Sequence, residues 1–181
     1  LTARWLAQYG TRTLVLASRS GALARDMADE CAQLRSTSAA SLVEQCDTAE
    51  AGHIRRLTLV SSKLSRATGL WHAAGVLADG VLPKQTAGTI ARVYAPKAHG
   101  AWMLQHACGP LPLRTCALFS SVAALLGGAG QANYSAANTC LDALATCRSK
   151  HGSASTSVQW GAWAELGICL LYTSPSPRDP H

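Results

Sequence analysis

The stretch SSVAALLGGAGQANYSAAN, residues 120–138, is the most informative part of this chain. An apolar run from Arg114 to Ser120 leads into it, and a helical pattern from Gln131 to His151 completes it. A glycine-rich turn between a strand and a helix predicts a βα unit. Tyr134 and Asn138 are four residues apart, so on one helix they project from the same face.

Further βα units follow one another along the chain. The predicted strands are Thr13–Ala17, Ala40–Gln45, Gly69–His72, Arg114–Ser120 and Ser155–Trp160. The predicted helices are Leu1–Tyr9, Gly21–Leu34, Ala49–Leu64, Thr86–Cys108 and Gln131–His151. Short apolar strands that alternate with helices are typical of a parallel sheet covered on both faces. The fold class is therefore α/β, a Rossmann-like doubly wound parallel sheet.

The side chains around the central stretch suit the reduction of a carbonyl group. A neutral Tyr is a weak acid, with a reference pKa of about 10, and a nearby Lys ammonium makes its proton easier to donate. A Ser hydroxyl can hold the substrate oxygen that receives this proton, and an Asn amide can position a water behind the Lys. Together with a hydride donor, these groups form a general-acid site.

Four residues occur in an order and spacing that mark a family. Lys97 precedes Ser121 by 24 residues, Tyr134 follows Ser121 by 13, and Asn138 follows by a further four. This pattern resembles that of the ketoreductase domain of polyketide synthases and of the related domain in animal-type fatty acid synthases. The resemblance extends from Leu1 to about Ile168. Both domains belong to the short-chain dehydrogenase/reductase superfamily, whose stand-alone members carry YxxxK where this chain has YxxxN.

The resemblance implies a function and its partners. Lys97, Ser121, Tyr134 and Asn138 become the catalytic residues of an NADPH-dependent β-ketoacyl thioester reductase. The substrate would arrive on the phosphopantetheine arm of an acyl carrier domain, among the other domains of a megasynthase. Two alternatives stay open: a non-catalytic structural half of a ketoreductase, and a free-standing alcohol dehydrogenase.

Candidate cofactor residues follow three strands. An Arg at the end of the second strand of a dinucleotide fold accommodates the 2′-phosphate of NADP, and Ser18 and Arg19 occupy this place. By resemblance, Asp47 would meet the adenine ring. The small residues of the H-x-A-G turn, which are Ala73, Ala74 and Gly75, would let the backbone approach the ribose. His72 is interpreted as a packed core histidine.

The resemblance also bears on stereochemistry. Leu77-Ala78-Asp79 keeps the last Asp of a Leu-Asp-Asp motif and loses the middle one. Leu126 stands where the opposite type carries a Trp, and Asn133 precedes the catalytic Tyr as in the B type. Ala129 replaces a Pro that the B type often has. We expect Asp79 and Asn133 to direct the substrate, with a 3R product.

Composition fits an enzyme domain rather than a membrane or nucleic-acid protein. The chain has 181 residues, 48% hydrophobic and 14% charged, and no apolar run near the ~20 residues that span a bilayer. Its net charge of +6 comes from scattered basic residues, which suits a cofactor phosphate and an acidic carrier. Seven cysteines without a CxxC pair indicate reduced thiols in the cytoplasm. No metal site is expected.

Both ends of the sequence raise expectations. The chain starts at Leu1 rather than Met, and in the family a first strand and the turn G-x-G-x-x-G come before this point. We expect residues 1–168 to form a partial NADPH-binding ketoreductase domain that is truncated at its first strand, with a gap between Thr13–Ala17 and Gly69–His72. Residues 169–181 read as translated adapter sequence or a disordered tail. The isolated piece is expected to be inactive and not to bind NADPH at micromolar levels.

Overall fold

The computed structural model describes residues 1–23, 28–64 and 67–161. The strands are β1 Thr13–Ser18, β2 Ala40–Gln45, β3 Gly69–His72, β4 Thr115–Ser121 and β5 Thr156–Trp160. The helices are α1 Thr2–Gln8, α2 Ala28–Arg35, α3 Ala51–Leu64, α4 Ala87–Tyr94, α5 Gly100–Cys108, α6 Ala123–Leu126 and α7 Ala132–Lys150. None of these helices is long and apolar enough to cross a membrane.

The predicted elements are confirmed, with two differences. The helix expected from Gly21 has its described part only at Ala28–Arg35, and residues 24–27 lie outside the described ranges. The helix expected over Thr86–Cys108 is interrupted by a π-helical turn, Ala95–His99. Pro96 in this turn has no backbone N–H to donate, which is a physical reason for the departure from α-helical bonding. The predicted tail beyond Ile168 also lies outside the described residues.

All the described strands are parallel, and they form two sheets. β1 pairs with β2, while β4 lies between β3 and β5. The α/β class with parallel strands is confirmed. The expected gap is also present, because β1 and β3 share no hydrogen bonds within the described part of the chain.

The main core lies between β4 and the helices α5 and α7. Cys116 and Leu118 alternate along β4 and therefore point to the same face, where they pack on Leu141 and Leu144 of α7 and Ala101 of α5. Leu141 is fully buried. This packing fixes α7 beside the carboxyl end of β4, so residues near its first turns lie close to the end of the strand.

A second cluster connects the two sheets through their helices. Ile54 of α3 packs on Leu104 of α5 and on Cys46, which directly follows β2. Ile54 is 1% exposed and Leu104 is 3% exposed. The loop after β2 is thereby held next to the segment that carries Lys97.

The glycine-rich turn before α7 closes against the loop after β3. Gly130 has a φ of +71°, a left-handed conformation that glycine adopts without strain. A Cβ at Gly130 would lie 3.3 Å from the backbone nitrogen of Gly80, and this nitrogen donates a hydrogen bond of 2.8 Å to the Gly130 carbonyl. The turn therefore brings the start of α7 beside the loop that follows the H-x-A-G turn.

Candidate active site

Lys97 is carried by the π-helical turn between α4 and α5. Two carbonyls of this turn bond outside the helix: Pro96 accepts from Thr48 Oγ1 at 3.1 Å, and Lys97 accepts from His72 Nε2 at 3.1 Å. π-Turns within helices occur often at functional sites, since they re-aim side chains. Thr48 follows β2 and His72 ends β3, so the turn is anchored to both sheets.

The ammonium group of Lys97 lies in the interior and is held by oxygen acceptors. Its Nζ donates to Asn138 Oδ1 at 2.7 Å and to the carbonyl of Phe119 at 2.9 Å. Lys97 is only 4% exposed. Burial disfavours the charged form and lowers the pKa of Lys97 to about 8, while the negative charge of Asp142 acts in the opposite direction.

Tyr134 and Asn138 meet Lys97 from one face of α7. The Nζ of Lys97 lies 5.1 Å from the centre of the Tyr134 ring. Asn138 is fully buried, donates from Nδ2 to the Tyr134 carbonyl at 2.8 Å, and accepts from Lys97. The expected placement of both residues on one helix face is confirmed, and Asn138 links the ammonium to the helix that carries the Tyr.

Ser121 is the last residue of β4. Its Oγ accepts a hydrogen bond of 3.2 Å from the backbone nitrogen of Ala123, and no hydrogen bond in the described part of the chain joins it to Lys97, Tyr134 or Asn138. The strand nevertheless fixes its position, because Phe119 bonds Lys97 and Ser120 Oγ donates to the Asn138 carbonyl at 3.3 Å. The structure brings Lys97, Tyr134 and Asn138 into contact and places Ser121 at the adjoining strand end.

His72 supports the site through the backbone of Lys97. It is 3% exposed, and its ring donates to the carbonyl of Lys97. Burial lowers its pKa to about 4, so the ring is neutral near pH 7 and Nε2 carries the proton. The interpretation as a packed core histidine is confirmed.

Gly75 allows the Lys97 side chain to pass. A Cβ at Gly75 would lie 2.9 Å from Cε of Lys97, closer than carbon atoms normally approach. Ala73 and Gly75 are exposed and Ala74 is half-buried. The absence of a side chain at Gly75 therefore leaves room for Lys97.

The candidate cofactor residues at the carboxyl ends of β1 and β2 have different environments. Arg19 has an exposed side chain, and its carbonyl accepts from Gln45 Nε2 at 3.1 Å, which ties the two strand ends together. Ser18 Oγ donates to the Ala22 carbonyl at 2.8 Å. Asp47 caps the turn after β2 by accepting from the Ala49 nitrogen at 2.9 Å. Arg19 is exposed, while Ser18 and Asp47 are half-buried. Polar residues at the carboxyl ends of parallel strands are compatible with a dinucleotide.

Asn133 and Asp79 connect the loop after β3 to the start of α7. The side chain of Asn133 donates to the Ala78 carbonyl at 2.8 Å and to Gln85 Oε1 at 3.1 Å, and it accepts from the Tyr134 nitrogen at 2.7 Å. Asp79 is exposed and accepts from Gln131 Nε2 at 3.1 Å. Asn133 thus fixes the backbone of Tyr134, and Asp79 lies on the rim of the site.

Sequence reasoning missed four residues that support the site: Thr48, Gln85, Gln131 and Asp142. The first three act through contacts between segments distant in sequence, and no local pattern marks them. Asp142 did have a signal, because it lies four residues after Asn138 and so shares its face of α7.

The arrangement is suited to donate a proton. A phenol next to a buried ammonium can give its proton to a substrate oxygen, and Ser121 offers a hydroxyl at the adjoining strand end. Asn138 and Phe119 hold the ammonium in place while the phenol changes charge.

The chain is similar to known proteins in sequence and in fold. The family model of the KR domain matches residues 1–165. Polyketide synthase GfsA of Streptomyces halstedii is 42% identical over 160 residues, which cover 88% of this chain and 2% of that protein. The spectinabilin polyketide synthase system protein NorB of Streptomyces orinoci is 41% identical over 167 residues, 91% of this chain and 8% of that protein.

A solved structure of A-type ketoreductases from a modular polyketide synthase is 35% identical. It superposes with a TM-score of 0.88, over 96% of this chain and 36% of that one. The chain thus spans a small part of the synthases it matches and about a third of this structure.

Proposed function

Since this chain belongs to the KR domain family of polyketide synthases, we propose that it reduces a β-ketoacyl thioester to the β-hydroxyacyl thioester. The observation that supports this most is the group formed by Lys97, Asn138 and Tyr134, with the ammonium 2.7 Å from the amide oxygen and 5.1 Å from the ring centre. The substrate would be presented on the phosphopantetheine arm of an acyl carrier domain in the same multienzyme.

The chain's own residues handle the proton. Tyr134 donates its phenolic proton to the β-oxygen of the substrate, and Ser121 holds this oxygen by a hydrogen bond. Lys97 stabilises the phenolate that forms, and Asn138 keeps Lys97 aligned. A bound nicotinamide cofactor supplies the hydride to the β-carbon.

We assign the cofactor as NADPH. The exposed guanidinium of Arg19 at the end of β1, with Ser18 beside it, favours a 2′-phosphate over a free ribose hydroxyl. Asp47 and the turn Ala73–Gly75 would line the rest of the dinucleotide. All four residues of the pattern are present, and Lys97, Tyr134 and Asn138 are in contact, which argues against a non-catalytic structural half. The YxxxN order argues against a free-standing dehydrogenase.

We further propose the B type, which gives the 3R alcohol. Its support is Asp79 at the last position of the shortened Leu-Ala-Asp motif, Asn133 before the Tyr, and Leu126 in place of a Trp. In the structure, Asp79 of the loop after β3 accepts from Gln131, and Asn133 of α7 donates to Ala78 of that loop.

The test uses the full-length protein that contains this chain, with a β-ketoacyl thioester on its carrier domain. NADPH consumption matched by formation of the 3R alcohol, resolved by chiral chromatography, is the expected result. Formation of the 3S alcohol would overturn the stereochemical assignment alone. NADPH binding without any reduction of the thioester would overturn the function.

A further inference from the structure

Asp142 lies on α7 one turn after Asn138, outside the four catalytic residues. Its two carboxylate oxygens each have one donor on β5: Oδ1 accepts from Ser157 Oγ, and Oδ2 accepts from Gln159 Nε2 at 2.8 Å. Ser157 and Gln159 are two residues apart on the strand and so share a face. Both oxygens of the Asp142 carboxylate are therefore held by β5.

The buried ammonium of Lys97 needs an opposite charge. In the described part of the chain, its Nζ donates to neutral oxygens, those of Phe119 and Asn138. An ammonium removed from water is costly unless a negative charge compensates it.

Within residues 1–23, 28–64 and 67–161, the titratable groups that act on Lys97 come from two elements. His72 of β3 bonds the Lys97 carbonyl, the Tyr134 ring of α7 lies beside Nζ, and Asp142 lies one turn after Asn138 on α7, where its charge acts on Lys97. The His72 ring is neutral near pH 7, and Asp142 is the described residue whose negative charge raises the pKa of Lys97.

We propose that Asp142 is a positioning residue for the reductase, which keeps Lys97 in its ammonium form without touching the substrate. Ser157 and Gln159 hold the carboxylate on the side of α7 that Asn138 shares, and Asn138 receives the ammonium. β5 thereby contributes to proton transfer through the charge it anchors. This inference rests on the proposed function, since it concerns the same site.

The sign of the effect follows from linkage. Burial lowers the pKa of Lys97 to about 8 and the charge of Asp142 raises it, so removal of this charge moves the pKa further down. Activity that needs the ammonium is lost as the pH rises through the pKa of Lys97. Neutralisation of Asp142 should therefore move the alkaline limb of the pH–rate profile to lower pH.

The test measures kcat for thioester reduction from pH 6 to 10 in the full-length protein, as wild type and as Asp142→Asn. We expect the alkaline limb to move down by roughly 0.5–1 pH unit, with a several-fold loss at pH 9 and a smaller change at pH 6.5. Asp142→Glu keeps the charge and should restore the limb. Asp29→Asn makes the same change of charge at an exposed residue of α2 and should leave the limb in place.

The outcomes separate this proposal from the function it depends on. A wild-type protein that reduces the thioester, with an unmoved alkaline limb in Asp142→Asn, would overturn the role of Asp142 and leave the function intact. A wild type without reductase activity would overturn the function itself. If Asp142→Asn does not fold, Asp142→Ser takes its place, and loss of folding in both variants would assign Asp142 to fold stability alone.

Discussion

Acid should weaken the fold around His72 by an amount that the structure sets. The ring is 3% exposed, and burial lowers its pKa from 6.5 to about 4. Between these values the unfolded chain binds a proton that the folded chain does not, so stability falls as the pH falls. The difference of about 2.5 pKa units corresponds to a loss of about 3 kcal/mol, complete near pH 4 and absent above pH 6.5.

Hydrogen exchange measured by mass spectrometry on the full-length protein can follow this loss at β3 and β4. After correction for intrinsic exchange, the opening free energy of these strands should decline from pH 6.5 to 4. His72→Gln keeps a donor for the Lys97 carbonyl but cannot titrate, so most of this decline should disappear. A control at the exposed His99, His99→Gln, should retain it. An equal decline in wild type and His72→Gln would show that protonation of His72 does not cause the loss.

Two further predictions concern the cofactor side of the site. Gly75→Ala places a Cβ 2.9 Å from Cε of the anchored Lys97, so kcat for thioester reduction should fall by about tenfold or more. Gly88→Ala, at an exposed residue in the first turn of α4, should be near wild type, and equal rates in the two variants would show that Gly75 is not needed for space. Arg19→Asp should lower kcat/KM for NADPH far more than for NADH. Arg12→Asp makes the same charge change at the other end of β1 and should affect the two cofactors equally. Equal effects of Arg19→Asp on NADPH and NADH would mean that Arg19 does not contact the cofactor.

Much of the fold could be predicted because its signals are local. The apolar runs at Thr13–Ser18 and Thr115–Ser121 are short and bounded by polar or glycine-rich segments, which identifies buried parallel strands. The helical spacing of Tyr134 and Asn138 likewise placed both on one face. The π-helical turn at Ala95–His99 was missed, because Pro96 alone does not distinguish a kink from a change of helix type.

The contacts within the site could be predicted only in part. The order and spacing of Lys97, Ser121, Tyr134 and Asn138 identified the group by resemblance, but not how Lys97 is held. The Phe119 carbonyl that binds Lys97 belongs to the backbone, and no side-chain pattern marks it. Contacts such as Asn133 to Gln85 join segments 48 residues apart and depend on tertiary packing.

Tyr134→Phe in the full-length protein tests whether Tyr134 is the general acid of a ketoreductase. The variant keeps the ring beside Lys97 and the backbone carbonyl that Asn138 binds, and removes only the hydroxyl. We predict that kcat for β-ketoacyl thioester reduction falls by ~10²–10⁴-fold while the Kd for NADPH stays near wild type. Tyr9→Phe, at a residue 75% exposed on the surface, should behave as wild type. Near wild-type turnover in Tyr134→Phe would contradict the claim.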